Sequence, residues 1–206
     1  MYVPRHFAQE DVTAAHDLIA ANVFATLVTE ISGRLDATHV PVVLDRERGA
    51  RGTLRFHLAR ANPTSQALES NVEILMVFVG PHTYISPDWY AAENLVPTWN
   101  YAVVHAYGVA RRMDDAELRR LLDDLSASQE NRLPKTPWTT DKLPQALVEK
   151  MCKAIVGFEL PITELQGKWK LNQNRGADDR AGVIEALEQL GGEANLGVAS
   201  RMRKLG

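Results

Sequence analysis

Apolar residues recur at helical spacing in several segments of the chain, and each such segment predicts an amphipathic helix. In residues 114–128 four leucines share one face, and Asp114 is well placed to cap the first turn. Residues 11–21 repeat the pattern with alanines, a leucine and an isoleucine behind Asp11. Proline in the first turn favours a short helix after Asn62. The remaining predicted helices cover residues 63–70, 145–155 and 178–190.

Other segments are rich in β-branched and aromatic residues, which predicts strands. Ser32-Gly33 and Gly80-Pro81 mark predicted turns between them, and Pro41 suggests a sheet edge. The strands follow one another with short connections and few helices between them. This order predicts a mainly β fold (α+β): an antiparallel barrel with peripheral helices, not alternating βαβ units. The predicted strands are 23–29, 39–44, 53–58, 73–79, 83–86, 97–112 and 158–169.

Composition narrows the class of protein. The chain has 206 residues, of which 45% are hydrophobic and 24% charged, as in an ordinary globular domain. A net charge of -3 and a pI of about 6.1 give no overall attraction to nucleic acid or to an anionic membrane. No apolar run approaches the ~20 residues of a membrane span. Because Cys152 has no partner cysteine, a reducing, cytoplasmic location is expected.

The segment Lys168–Arg175, of sequence KWKLNQNR, concentrates two lysines, an arginine, three amides and an indole. In an extended strand the two lysines point to one face and Trp169 to the other. Lysine binds phosphate as a point charge, whereas amides donate to and accept from polar rings. The segment therefore suits a ligand with a phosphate and a planar ring, although for this segment taken alone a solvated strand end is the favoured interpretation.

Two further segments offer ligand-binding chemistry. His57–Pro63 runs from a strand into a helix start, and Arg60 beside free helix N–H groups would attract an anion, unless the helix is merely capped. Trp99 and Tyr101 flank Asn100 in a strand, where packing in a core is the alternative.

The histidines and the cysteine carry weaker signals. Six histidines are present, but none shows a zinc-binding spacing, so no metal site is predicted. His39, His57 and His105 fall in predicted strands, which suggests a polar ligand site or, as a second alternative, haem ligation. Cys152 shares a helix with apolar residues, and a structural thiol is the favoured interpretation over a reactive one.

Taken in order, a series of short motifs resembles the PaiB-like FMN-binding negative transcriptional regulators. The resemblance runs from residue 1 to about 190, so 1–190 is expected to form one domain and 191–206 a C-terminal tail. Asn172 departs from the serine that the family pattern places before Gln-Asn. The main motifs are Phe24–Thr29, His39–Pro41, Gly52–Pro63, Gly80–Tyr90, Val96–Tyr101, Ile155–Glu159 and Lys168–Asn174.

The resemblance implies an FMN-binding split β-barrel of the pyridoxamine phosphate oxidase type. It also implies a homodimer with FMN in clefts at the subunit interface. Arg60 and the Asn62 turn would hold the phosphate, and the residues from 168 onward would close the site. The residues that the resemblance assigns to the cofactor are Thr26, His39, His57, Arg60, Asn62, Trp99, Asn100, Tyr101, Lys168, Lys170, Gln173 and Asn174.

Three functions remain open from the sequence. The family suggests a flavin-binding transcriptional regulator, whose direct DNA binding would be weak or indirect because acidic residues outnumber basic ones, 26 to 23. A flavin-dependent oxidoreductase is the first alternative, with chemistry supplied by the flavin. A haem-binding or haem-degrading split barrel is the second.

Overall fold

The computed structural model describes residues 1–205 as antiparallel sheets with several helices. The chain forms two compact units. The first unit comprises Met1–Leu18, Val79–Val104 and the chain from Gln166 on, and the second comprises Ile19–Phe78 and His105–Leu165. The antiparallel pairing of the strands confirms the predicted mainly β class with peripheral helices.

In residues 1–205, ten strands and six α-helices are defined. The strands are β1 Ala8–Gln9, β2 Phe24–Ile31, β3 Arg34–Pro41, β4 Val43–Asp45, β5 Thr53–Ala59, β6 Glu73–Ile85, β7 Thr98–Val109, β8 Arg111–Arg112, β9 Ile155–Pro161 and β10 Glu164–Lys170. The helices are α1 Val12–Ala21, α2 Pro63–Leu68, α3 Asp115–Glu130, α4 Gln145–Cys152, α5 Ala177–Leu190 and α6 Glu193–Lys204. Strands β6 and β7 continue from one unit into the other.

The second unit contains two sets of paired strands. In one, β2 pairs with β6 on one side and with β3 on the other. The β2–β3 hairpin turns at Ser32-Gly33, where both residues have positive φ, as a tight hairpin turn requires. The other set has the order β4-β5-β9-β8, and its core includes Phe56 and Phe158, whose stacked rings have centroids 5.7 Å apart. Both phenylalanines are fully buried.

The first unit contains strands in the order β1-β10-β7-β6 together with the hairpin of α5 and α6. Val183 and Leu187 of α5 and Val198 and Met202 of α6 are buried, so the two helices share an apolar seam. The segment 191–206, expected as a tail, thus carries the twelve-residue helix α6. Gly191 and Gly192, both at positive φ, form the turn before it.

The turn predicted at Gly80-Pro81 is wrong, because β6 passes through both residues as one strand of 13 residues. Gly80 is required there for close packing: a Cβ would lie 3.0 Å from Leu18 Cδ1 and 3.1 Å from the Ala102 carbonyl oxygen. Pro81 lies beyond Leu75–Val77, the stretch of β6 that pairs with β2, so its missing N–H removes no hydrogen bond to β2. The two strands predicted at 73–79 and 83–86 are therefore one.

Helix α3 begins as predicted, with Asp114 as its N-cap. The Asp114 carboxylate accepts from the Glu117 amide at 2.8 Å, and the Glu117 carboxylate accepts from the Asp114 amide at 2.9 Å. This reciprocal pair is a capping box. Arg111 joins it by donating to Glu117 at 2.7 Å and to the buried Glu159 at 2.7 Å.

The capping box makes an acid-sensitive contribution to stability. Hydrogen bonds from Arg111 and from the Asp114 amide lower the pKa of Glu117 to about 2. A carboxyl whose pKa is lower in the folded state stabilises the fold above its unfolded pKa of about 4.3 and loses that contribution as pH falls. We expect Glu117→Gln to cost about 1 kcal/mol of unfolding free energy at pH 7 and almost nothing near pH 2. Urea denaturation at several pH values measures this, and Glu47→Gln, in an exposed loop, is the charge-matched control.

Candidate functional site

Strand β10 presents its side chains as the sequence predicts. Trp169 is buried, whereas Lys168 and Lys170 on the opposite face are half-buried. The Lys170 ammonium donates to the Trp99 carbonyl at 2.8 Å and to the Thr98 hydroxyl. Burial lowers the pKa of Lys170, and the nearby charges of Lys168 and Arg175 lower it further. Lys170 is thus a partly desolvated cation among other cations.

Aromatic rings surround these cations in the first unit. The Lys168 ammonium lies 5.6 Å from the ring centroid of Tyr2 and 5.5 Å from that of Tyr101. Arg175 lies 5.5 Å from the ring of Tyr90. Within residues 1–205, Lys168, Lys170 and Arg175 make no ion pair with a carboxylate. We call the three cations and their rings the cation–aromatic cluster, and its uncompensated charge suits an anionic ligand that carries a planar ring.

Trp99 extends this aromatic surface. Its indole N–H donates to His82 Nδ1 at 3.2 Å, and its ring meets Tyr84 edge-on with the centroids 6.2 Å apart. Trp99 and Tyr84 both remain almost half exposed. Trp99 and Tyr101 lie on the same face of β7, since side chains alternate along a strand.

The amides predicted to bind the cofactor have other neighbours. Asn100 is fully buried on the other face of β7 from Trp99 and Tyr101, and its Nδ2 lies 3.5 Å from Met202 Sδ. Gln173 accepts from the Leu171 amide at 2.7 Å and donates to the Trp169 carbonyl, so it stabilises its own turn. Asn172, at φ 61°, is buried and donates to the Tyr90 hydroxyl at 3.1 Å. Asn174 is exposed.

The remaining predicted residues lie in the second unit. Thr26 and His39 are directly opposite each other in the β2–β3 register. His39 is exposed, and its ring stacks on that of Phe24 with the centroids 6.0 Å apart. This pair leaves an aromatic and an imidazole at the surface of the sheet.

In the second unit, Arg60 and the first turn of helix α2 already form hydrogen bonds with other groups of the protein. Arg60 donates to the carbonyls of Lys153 and Ile155, at 2.9 and 3.1 Å. The Asn62 side chain accepts from the Thr64 amide at 3.0 Å, so the first turn of α2 is capped. The predicted alternative of an ordinary capped helix is therefore present, while the second Nη of Arg60 stays free for a ligand.

His57 lies on the face of β5 opposite the core residues Phe56 and Leu58, beneath α3 and α4. Burial lowers its pKa, and its buried Nδ1 has no hydrogen-bond partner. Burial also lowers the pKa of His105 in β7. Both imidazoles are therefore neutral at neutral pH.

Sequence reasoning missed Tyr2, Tyr90 and Arg175 as members of the cation–aromatic cluster. All three fall within segments that the sequence singled out, but no local pattern showed that distant segments bring their rings to the cations. In the described part of the chain, histidine, cysteine and carboxylate side chains do not gather in groups of three or more that could hold a metal ion.

Comparison with solved structures identifies the fold. A haem- and FAD-binding protein of Mycobacterium smegmatis superposes with a TM-score of 0.61 at 16% identity, covering 91% of this chain and 81% of that chain. A flavocytochrome of Azotobacter vinelandii superposes with a TM-score of 0.57 at 20% identity, covering 82% and 72%. The fold is the predicted split β-barrel of the pyridoxamine phosphate oxidase type.

Comparison with the sequences of known proteins identifies the family. A family model described as "Putative FMN-binding domain" matches residues 1–164. The protease synthase and sporulation protein PAI 2 of Bacillus subtilis is 36% identical over 188 residues, which cover 91% of this chain and 89% of that protein. A protein of Emericella nidulans is 33% identical over 245 residues, covering 100% of this chain and 98% of its own length. The chain belongs to this PaiB-like family of FMN-binding proteins, as predicted.

FMN is the cofactor that this family implies, and the donors of the first unit fit it. The phosphate of FMN needs cations, and Lys168, Lys170 and Arg175 lack carboxylate partners. The isoalloxazine ring of FMN needs flat apolar surface, which exposed Trp99 and Tyr84 provide.

Among residues 1–205, the helices are too short or too polar to cross a bilayer.

Proposed function

We propose that this protein is an FMN-binding regulatory protein of the PaiB-like family. The observation that carries the proposal is the cation–aromatic cluster: Lys168 and Arg175 lie against aromatic rings with Lys170 nearby, and among the described residues these three cations have no carboxylate partner. Burial lowers the pKa of Lys170, and a bound dianion would stabilise the charged form of this lysine. The regulatory role is supported by the similarity to PAI 2 of Bacillus subtilis, whose name connects it to protease synthesis and sporulation.

Lys170, Lys168 and Arg175 would hold the negative charge of FMN in this proposal, and Trp99 and Tyr101 would contact its ring. The resemblance also assigns four residues of the second unit to FMN, and that assignment stays a separate part of the proposal: Thr26, His39, Arg60 and Asn62. FMN, when bound, supplies one- and two-electron redox chemistry. The protein's own contribution is to fix the position of the ring between aromatic side chains and to hold the phosphate with positive charge.

We also propose a homodimer, because both units expose large apolar side chains on their sheets. Phe24 and Leu35 are 66% and 83% exposed in the second unit, and Val79 and Trp99 are about half exposed in the first. Exposed apolar side chains on sheet faces are typical of protein–protein interfaces.

If the protein is a homodimer, a charge introduced on the exposed face of the sheet should dissociate it into single chains. Sedimentation at micromolar concentration should give about twice the 22.9 kDa chain mass for the wild type. Phe24→Asp should shift the mass toward that of one chain, since a charge buried in an interface costs several kcal/mol. Leu190→Asp, at a residue 62% exposed on helix α5, is the matched control and should stay dimeric. A wild-type monomer that binds FMN stoichiometrically would contradict the shared-site arrangement.

Direct DNA binding is expected to be weak, because internal contacts hold several of the arginines. Arg203 makes two 2.8 Å bonds to Glu188, and Arg112 pairs with Glu69 at 2.8 Å. Arg201 lies over Trp169, 5.7 Å from the ring centroid. These contacts direct Arg203, Arg112 and Arg201 toward protein groups and so reduce the positive charge that they offer to phosphate groups.

A DNA titration over 50–200 mM salt tests this expectation. Association should be no tighter than the roughly micromolar range of non-specific binding, with a shallow dependence on salt. Nanomolar, sequence-specific binding by the wild type that Arg203→Gln weakens tenfold would show that α6 contacts DNA. Such a result would make the regulatory action direct.

The absorption spectrum of the purified protein, with mass analysis of the released ligand, tests the proposed function. Flavin bands and the mass of FMN are the expected result. A Soret band would support the haem-binding alternative, with a strand histidine as the ligand. Oxidation of a reduced nicotinamide by the flavin-loaded protein at many turnovers per minute would favour the oxidoreductase alternative over a purely regulatory role.

We propose a cytoplasmic location, supported by the single cysteine.

A further inference from the structure

A solvent-accessible cavity of about 440 Å³ in the first unit is lined by residues of α1, β6, β10 and α6. Helix α1 supplies Ala14 and Asp17 to its walls, strand β10 supplies Trp169, and helix α6 supplies Ser200 and Arg201. The volume falls within the range of about 300–1,000 Å³ that is usual for small-molecule sites. None of these five residues belongs to the set proposed for FMN.

The cavity and the cation–aromatic cluster lie on opposite faces of strand β10. Trp169 lines the cavity, whereas its neighbours Lys168 and Lys170 point to the other face. Helix α6 packs on the same side of the sheet as the cavity, where Met202 Sδ lies 3.5 Å from Asn100 Nδ2. A ligand in the cavity would therefore leave the cluster available to FMN.

Helix α6, which forms one wall of the cavity, is held in place by strand β6. The Thr83 hydroxyl donates to Asn195 Oδ1 at 2.7 Å. Gly197 permits the close approach of the helix, since a Cβ there would lie 2.8 Å from Cβ of Pro81. The wall is thus fixed without a ligand, so binding does not have to order it.

Arg201 is a cation that the fold positions firmly at this cavity. Its guanidinium carbon lies 5.7 Å from the ring centroid of Trp169, at the distance of a cation–π contact. Burial lowers the pKa of Arg201, whereas the nearby carboxylate of Asp17 raises it. Because arginine stays protonated in proteins, this wall carries a partly buried positive charge. A carboxylate is the ligand group that matches the geometry of a guanidinium.

The remaining polar groups favour a ligand with charges of both signs. Lys204, one turn along α6 from Arg201, adds a second cation, and Gln9 offers its Nε2 because its Oε1 accepts from the Asp11 amide at 3.0 Å. Asp17 attracts an ammonium and repels a simple anion. The lining residues thus include two cations and one carboxylate, which match a ligand with two carboxylates and one ammonium.

We propose that this cavity binds an acidic α-amino acid of the glutamate type. The two carboxylates of the ligand would pair with Arg201 and Lys204, and its ammonium would pair with Asp17. This assignment does not rest on the proposed flavin function, and the two sites are tested with different ligands.

Isothermal titration calorimetry at pH 7 with L-glutamate, L-glutamine and glutarate tests the proposal. L-glutamate should bind at one molecule per chain. L-glutamine lacks the second carboxylate and glutarate lacks the ammonium, so each should bind about three- to tenfold more weakly. Equal affinity for L-glutamate and either analogue, or no binding of L-glutamate at millimolar concentration, would overturn the proposal.

Arg201→Gln removes the partly buried cation and should weaken L-glutamate by about tenfold. Arg5→Gln, at an exposed position of the same unit outside the cavity, is the matched control and should bind within twofold of the wild type. Thermal melting shows that both variants are folded. Wild-type affinity in folded Arg201→Gln would place the ligand elsewhere and overturn the proposal.

Asp17→Asn tests the selectivity for an ammonium. It should weaken L-glutamate about threefold and strengthen glutarate, because the carboxylate that attracts the ammonium and repels the second probe is gone. A purely structural role of Asp17 would weaken both probes alike. Asp88→Asn, an exposed aspartate of the same unit that does not line the cavity, should keep the wild-type preference. An unchanged preference in Asp17→Asn would overturn the assignment of an amino acid.

A filled cavity and a competing ligand complete the test. Ser200→Phe places a ring in the cavity and should weaken L-glutamate at least tenfold, whereas Leu196→Phe, one turn earlier on α6 and 46% exposed, should leave it within twofold. Saturating FMN should not change the affinity for L-glutamate. Unchanged binding in Ser200→Phe, or displacement of L-glutamate by FMN, would overturn the separate site.

Discussion

Replacing Lys170 with methionine should weaken FMN binding by roughly ten- to a hundredfold. Methionine keeps the length of the side chain but removes the charge that the proposal places against the phosphate. A hydrogen bond to a charged group contributes about 1.5–3 kcal/mol, and each 1.4 kcal/mol is a factor of ten in affinity. Fluorescence titration of flavin-free protein measures the change directly.

The matched control for this variant is Lys204→Met, which removes an exposed lysine from helix α6 of the same unit. Its affinity for FMN should stay within twofold of the wild type. Lys170 also donates to the Trp99 carbonyl at 2.8 Å, so the variant must be shown to keep its thermal stability within a few degrees. Wild-type affinity in a folded Lys170→Met protein would remove this lysine from the site.

The affinity should also depend on pH in a defined direction. The pKa of Lys170 is lowered in the free protein, and a bound phosphate dianion would raise it, so binding takes up a proton wherever the free lysine is neutral. Affinity therefore falls as the pH rises through the lowered pKa of the free lysine, which lies below its ordinary value of 10.5. Lys170→Arg keeps its charge throughout this range and should flatten the profile.

The largest loss of stability is expected from adding one methyl group to Gly108. A Cβ at this position of β7 would lie 2.4 Å from the Pro161 carbonyl oxygen and 2.9 Å from Leu160 Cδ1. Because the first of these atoms belongs to the backbone, rotation of a side chain cannot relieve the contact. Gly108→Ala should lower the unfolding free energy by about 3 kcal/mol, at the upper end of overpacking effects.

Urea denaturation and thermal melting check this prediction, with a melting temperature lowered by roughly 6–12 °C. Gly176→Ala is the matched control, since a Cβ there meets nothing within 4 Å. It should cost at most about 1 kcal/mol, the typical value of a helix cap. Equal stability of the two variants would show that β7 and the Leu160–Pro161 segment approach less closely than described.

Local patterns predicted helices α1 to α5 and most strands, because each of them carries its own signal, whereas helix α6 was not predicted. The leucine spacing and Asp114 place α3 correctly, and the alternation of lysine and tryptophan in β10 gives the observed faces. The Gly80-Pro81 turn was predicted wrongly because glycine and proline are typical of turns, whereas here both lie within strand β6. Only the packing of Leu18 and Ala102 against Gly80 distinguishes the two.

The candidate site was predictable in part. The charge and aromatic content of Lys168–Arg175 is visible in the sequence, and the structure places Lys168 and Lys170 among rings. The roles of the amide side chains were harder to predict, because asparagine and glutamine both bind ligands and stabilise turns. Gln173 bonds its own turn and Asn100 lies on the buried face of β7, and neither fact follows from composition or spacing. Contacts such as Tyr2 with Lys168 depend on tertiary structure.

Parallel titration of flavin-free protein with FMN and with riboflavin, which lacks the phosphate, tests the central claim most directly. FMN should bind at one molecule per chain, and riboflavin should bind at least tenfold more weakly in the wild type. In Lys170→Met the two ligands should differ far less, because part of the phosphate binding is gone. Equal affinity for FMN and riboflavin in the wild type, or no binding of either, would contradict the account.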